Sequence, residues 1–99
     1  MNEAQRKVDT WIQQHGGYWD RKDIALKISE EYGELIKEFN RLFGPQRKKA
    51  SGDMAKLTLE LGDLLFAIAC LANSNSINLD AALEKSIEKY SSPTTDRYE

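Results

Sequence analysis

Between Leu61 and Ala72 the run LGDLLFAIACLA carries one charged residue, Asp63. Read at 3.6 residues per turn, this stretch is apolar on nearly every side, and a helix of that kind has to be buried over most of its surface. The chain has 99 residues, and small domains bury a smaller share of their surface than large ones. Four helices from one chain are too few to wrap a central helix completely. The run therefore predicts an all-α, four-helix bundle completed by dimerisation, with a dimer or a dimer of dimers as the assembly.

The rest of the chain supports an all-helical reading. Ala4, Val8, Trp11 and Ile12 recur at helical spacing before Gly16-Gly17, which predicts a first helix from about Asn2 to His15. Asp20 or Asp23 can cap a second helix whose apolar stripe is Ile24, Ile28, Leu35, Phe39 and Leu42 and which ends at Gly44-Pro45. Gln46 to Gly52 is a basic loop, and Asp53 opens a third helix that runs to about Asn73. A fourth starts near Ser76 or Asn78 with the stripe Leu79, Leu83, Ile87 and Tyr90, before Ser91-Ser92-Pro93-Thr94-Thr95 breaks the pattern. No strands, repeats or second domain are expected: residues 1–92 form one domain and 93–99 a polar tail.

Charge and apolar run lengths exclude several classes. The 14 Lys+Arg against 16 Asp+Glu leave no global field to hold a nucleic acid polymer or an anionic membrane. No segment reaches the roughly 20 apolar residues that span a bilayer, and Met1 to Lys7 has no apolar signal core, so a cytoplasmic protein is expected. Cys70 is the one cysteine, which excludes an intrachain disulfide and any multi-cysteine zinc motif.

The chemistry lies in Glu30-Glu31-Tyr32-Gly33-Glu34 on the second helix and Glu60-Leu61-Gly62-Asp63 on the third. Each motif sets two carboxylates three residues apart, one turn along the same helix face, where both can reach one ion. With Ile24 at zero, Glu31 falls at roughly 340°, inside the apolar stripe, with Glu34 at about 280° and Glu30 at about 240°. Glu31 is thus aimed at the core. Asp63 sits among Leu61, Leu64, Leu65 and Phe66, where an unpaired carboxylate is costly. Lys27 can pair with Glu30 or Glu31, but the third helix offers no basic residue after Lys56. A metal meets the need, and four carboxylates without Cys or a nearby His form an all-oxygen set suited to Mg²⁺ or Mn²⁺ rather than zinc. Ferritin-like di-iron bundles need Glu-x-x-His pairs, which neither motif has.

The pair EExxE and ExxD, here Glu30-Glu31-x-x-Glu34 and Glu60-x-x-Asp63, resembles the MazG-like all-α nucleotide pyrophosphohydrolases. The runs KISEEYGELIKEFNRLFG and LELGDLLFAIACLANSNSINLDAALEKSIEKY and the terminal DRY look like the short single-domain bacterial members, so the likeness covers nearly the whole chain. The resemblance implies Mg²⁺-dependent hydrolysis of nucleoside triphosphates to monophosphate and pyrophosphate. It implies Glu31, Glu34, Glu60 and Asp63 as metal ligands, and Glu30 as a supporting carboxylate. Glu30 or a metal-bound carboxylate such as Glu31 would take the proton of the attacking water. Lys85, Lys89 and Arg97 follow a pattern similar to the family's phosphate contacts. Trp19 and His15 beside the Gly-Gly break are candidates to meet the base, whereas Trp11, on the first helix's apolar stripe, reads as core. The alternative is a catalytically weak nucleotide-sensing or purely structural helical dimer module.

Overall fold

The structure, a computed structural model, describes residues 2–44 and 53–92. It consists of four helices, α1 (Glu3–Gln14), α2 (Arg21–Phe43), α3 (Asp53–Ser74) and α4 (Leu79–Ser91), with no strand among the described residues. The basic loop with Arg47, Lys48 and Lys49, and the tail from Pro93 on, lie outside the described residues.

Local chemistry sets the ends. At the start of α1 the Asn2 side chain accepts from the Gln5 backbone N–H while the Gln5 side chain accepts from that of Asn2, a reciprocal capping box. The first helix stops at His15, and Gly16 and Gly17 follow at φ of 103° and 89°, a backbone that favours residues without Cβ. Asp20, not Asp23, caps α2 through the Lys22 N–H. Asn78 caps α4 by accepting from the N–H groups of Asp80 and Ala81.

The dominant packing is α3 along α2, with α1 laid against α3 as the second interface. Val8, Ile12, Ile24, Ala69 and Cys70 form the core, and Tyr18, Phe66, Leu71 and Leu79 pack against it. On α3 the buried positions are small: Ala67, Ala69, Cys70 and Ala72. Small side chains let neighbouring helix axes approach closely, so the apolar run works first as a docking strip.

A polar network ties the ends of the elements together. Gln5 is almost fully buried. Its Nε2 donates to Asn73 Oδ1 at 2.8 Å and to the Ile77 carbonyl at 2.7 Å, and its Oε1 accepts from the Leu79 N–H at 2.8 Å. Asn73 in turn donates to the Gln5 carbonyl and to the Tyr18 hydroxyl, which donates to Asp9 at 2.6 Å. Burial first, and then the hydrogen bond to Asp9, push the Tyr18 phenol up to about 12. The α1 N-terminus thereby holds the α3–α4 turn.

Several stripe residues expected in the core are not covered by this chain. Leu61 and Leu65 are 52% and 50% exposed, and Asp63, expected among buried leucines, is exposed. Phe39 of α2 is half exposed, as are Leu83, Ile87 and Tyr90 of α4. The cause is that α4 packs far less extensively on the other helices than α2 and α3 pack on each other: Leu79 reaches the core, whereas the rest of the α4 stripe and the outer face of α3 stay half exposed among the described residues. The Cα radius of gyration agrees, at 16.3 Å against about 13 Å for a compact domain of this length.

Replacing Gln5 with Ala leaves the Leu79 N–H without its acceptor and Asn73 Oδ1 and the Ile77 carbonyl without their donor in a partly buried setting. It is expected to cost about 2–4 kcal/mol of stability, read as a lower midpoint in urea unfolding with an unchanged slope.

Candidate active site

The acidic motifs face each other across the α2–α3 seam. Ile24 shares a cavity wall with Cys70, Glu31 meets Asp63 and Glu60, and Glu38 meets Lys56, so the helices run antiparallel and each site residue has a fixed register. One carboxylate oxygen from each of Glu31, Glu60 and Asp63 can be chosen so that all three lie within 4.8 Å of one another. Glu31 is 13% exposed at its side chain, while Asp63 opens to solvent. Three like charges at this spacing repel unless a cation sits among or beside them.

One cation of the chain is already beside them. Lys27 Nζ lies 3.1 Å from Glu31 Oε2 and 3.7 Å from Glu30 Oε1. The hydrogen bond to Glu31, reinforced by that residue's charge, holds the Lys27 ammonium above its ordinary range. Lys27 bonds only the Glu30–Glu31 edge of the cluster, and its charge is also felt at Asp63. Partial desolvation, followed by the charges of Asp63, Glu34 and Glu31, raises the Glu60 carboxyl above the usual range, with Lys56 acting in the opposite sense.

Next to the cluster lies a cavity of about 270 Å³ lined by Trp19, Ile24, Lys27, Glu31, Asp63, Phe66, Ala67 and Cys70. One end is apolar and aromatic, the other ionic, the mixture found in small-molecule sites. Trp19, half exposed, forms its outer wall. Burial pushes the Cys70 thiol up, so it contributes bulk to the wall rather than reactivity.

The other candidate residues take different places. Glu30 lies on the exposed rim with Lys27, outside the converging trio, and Glu34 is exposed one turn further along α2 beside Glu60. His15 does not line the cavity. It stacks on Trp11 at 3.8 Å, with its Nδ1 2.7 Å from the Trp11 carbonyl oxygen. Trp11, expected in the core, is half exposed because that stack and an edge contact to Phe66 leave its outer face open. Lys85 and Lys89 ride on α4, which does not pack extensively on α2 among the described residues, and Lys89 lies over the Tyr90 ring. Arg97 lies outside the described residues.

Sequence reasoning missed Glu38. Its side chain is 4% exposed. It accepts from Arg41 Nε at 3.1 Å and Nη2 at 2.6 Å and lies 3.9 Å from Lys56 Nζ. The signal was present: Arg41 follows Glu38 by one turn, and both border the Leu35–Leu42 stripe.

An all-α chain with a carboxylate-lined groove between two antiparallel helices defines a class, and comparison with known proteins defines the family. The model of the MazG nucleotide pyrophosphohydrolase domain matches residues 20–96. The uncharacterised protein YpjD of Bacillus subtilis (strain 168) is 36% identical over 99 residues, 99% of this chain and 89% of the relative. A crystal structure of Bacillus subtilis YpjD, provisionally assigned as a pyrophosphatase, superposes with a TM-score of 0.81 at 37% identity, covering 89% of this chain and 91% of that one. The crystal structure of a Bacillus-conserved MazG protein, a nucleotide pyrophosphohydrolase, gives 0.76 at 32% identity, covering 90% and 86%. The chain belongs to the MazG nucleotide pyrophosphohydrolase family and is a pyrophosphohydrolase enzyme acting on nucleotides.

The raised carboxyl of Glu60 sets a pH dependence. A group whose folded value lies above its unfolded one contributes stability at low pH that is lost as pH rises through the folded value. Glu60→Gln is therefore expected to stabilise the metal-free protein at pH 7. The gain fades below about pH 4, where a carboxyl is protonated in both states, and paired thermal melts across this range measure it.

Proposed function

We propose that this chain hydrolyses nucleoside triphosphates to monophosphate and pyrophosphate with Mg²⁺, clearing surplus or non-standard nucleotides in the cytoplasm. The observation that carries the reading is the convergence of Glu31, Glu60 and Asp63 beside a cavity walled by Trp19. The donor chemistry fits the ion: every ligand offered is a carboxylate oxygen, with no Cys or His among them, which suits Mg²⁺ and admits Mn²⁺. Glu31, Glu60 and Asp63 would hold it, with Glu34 one turn from Glu31 completing the set. When bound, such an ion neutralises charge between carboxylates and phosphates and polarises the phosphoryl oxygen and the attacking water.

The chain's own residues supply position and proton handling. Trp19 and Phe66 offer aromatic surface to the base, with Ile24 and Ala67 excluding water behind it. His15 contributes indirectly, by fixing Trp11 against Phe66. Lys27 holds Glu31 in place and brings positive charge to the phosphate side of the cavity. In the reaction the water oxygen bonds to the α-phosphorus, the α–β anhydride bond breaks, and pyrophosphate leaves. Glu30, next in sequence to Glu31 and open to solvent, would pass the water's proton outward.

Oligomerisation is part of the proposal. The half-exposed Leu61 and Leu65 on α3 and Leu83, Ile87 and Tyr90 on α4 are more apolar surface than a small monomer presents without a partner. A second copy against these faces, as a dimer or a dimer of dimers, would also decide whether Lys85 and Lys89 reach a neighbouring acidic groove. Sedimentation equilibrium at micromolar concentration is expected to give at least twice the chain mass, and a stable monomer would refute the assembly.

The catalytic reading is tested on Asp63→Asn. Asp63 is exposed and faces other carboxylates, so losing its charge should leave the metal-free melting temperature unchanged or raised. Pyrophosphate release with Mg²⁺ should fall by about 100-fold, the scale of a misplaced reacting group, and EDTA should abolish it in the native protein. A destabilised variant that keeps its activity would mean that Asp63 is a structural charge.

A further inference from the structure

A second, polar cavity of about 310 Å³ continues the groove beyond the acidic trio, lined by Glu34, Lys37, Glu38, Asn40, Arg41, Lys56 and Glu60, all charged but Asn40. Glu34 and Glu60 are shared with the acidic cluster. The remaining charged lining is three cations, Lys37, Arg41 and Lys56, against one carboxylate, Glu38. Glu38 is buried and binds Arg41 through two hydrogen bonds, so its charge is already matched. Lys56 lies 3.9 Å from Glu38, at the edge of ion-pair distance, and is 61% exposed. Lys37 is exposed and forms no ion pair among the described residues.

The register fixes the order of these groups. On α2, Glu31, Glu34, Lys37 and Arg41 succeed one another at three- and four-residue steps, each about 4.5–6 Å further along one face. On the antiparallel α3, Asp63, Glu60 and Lys56 keep the same order. From the Trp19 end the seam therefore reads apolar wall, carboxylate trio, then the cavity that holds the three cations Lys37, Arg41 and Lys56. A nucleoside triphosphate has the matching sequence of groups: an aromatic base, the phosphate to be attacked, and a polyanionic leaving group.

We infer that the cavity formed by Lys37, Arg41 and Lys56 is the subsite for the β,γ-pyrophosphate, with Lys37 and Lys56 its direct contacts and Glu38 the residue that positions Arg41. This rests on the proposed triphosphate hydrolysis and adds the direction in which the substrate lies. The base points toward Trp19 and α1, and the leaving group toward the α2–α3 connection. It also assigns phosphate contacts within a single chain to α2 and α3 rather than to Lys85 and Lys89. Ammonium donors bind phosphate oxygens through charge-assisted hydrogen bonds, which are stronger than neutral ones.

The test titrates the full-length protein, in Mg²⁺, with inorganic pyrophosphate and separately with a nucleoside monophosphate, using calorimetry as a readout independent of turnover. Lys37→Gln and Lys56→Gln are each expected to weaken pyrophosphate binding by about tenfold, with monophosphate binding unchanged and the triphosphate KM raised. Lys37→Arg should restore pyrophosphate affinity. Both residues are exposed, so the variants should fold, and melting curves check this. Unchanged pyrophosphate affinity in both Gln variants, equal losses for the two ligands, or a loss on Lys85→Gln in their place each overturns the assignment. A native protein that binds neither ligand overturns the triphosphate reading as well.

Discussion

Mutual repulsion of carboxylates across the α2–α3 seam is the constraint around which the molecule is organised. A packed helix interface ordinarily excludes like charges, yet Glu31, Glu60 and Asp63 are held with oxygens within 4.8 Å of one another. The chain tolerates this because apolar docking on one side, where Ile24 meets Ala69 and Cys70, and the Glu38–Arg41–Lys56 group on the other clamp the helices together. Lys27 relieves one member of the trio. Under the proposed function a divalent ion and its substrate would balance the rest of the charge, the tension between stability and function common at active sites.

Much of the architecture was legible in the sequence because it is local. Caps such as Asn78, the Gly16-Gly17 stop and the 3.6-residue stripes act over a few residues and gave the four helices nearly to their ends. The EExxE and ExxD spacings likewise put Glu31, Glu60 and Asp63 on facing surfaces. Burial was harder to read, because it depends on what packs against a face. Asp63 and Leu65 sit in an apolar run and are still exposed, Asp63 at the open side of the seam and Leu65 on a face that no described residue covers fully. Phe39 and Trp11 are half exposed because each is covered on one side by a neighbouring ring and open on the other.

Polar contacts between distant segments were the least legible part. Gln5 and Asn73 are 68 positions apart, and neither carries a local pattern that marks it as a buried hub. The same holds for the bridge from Glu38 to Lys56, which spans two helices. Such groups are recognised only when the fold brings them together, and once buried they are held there by the cost of leaving a donor or acceptor without a partner.

The linear order along two rigid antiparallel helices also separates the protein's tasks in space. Trp19 and Cys70 at the aromatic end share no ion pair or hydrogen bond, among the described contacts, with Glu34 or Glu60 at the other. Changes at well-separated, unconnected positions tend to combine additively. The wall proposed to meet the base is therefore free to drift through substitution while the carboxylate register stays fixed. A scaffold of this kind can diversify in substrate choice within a lineage by single steps, each acceptable without compensation elsewhere.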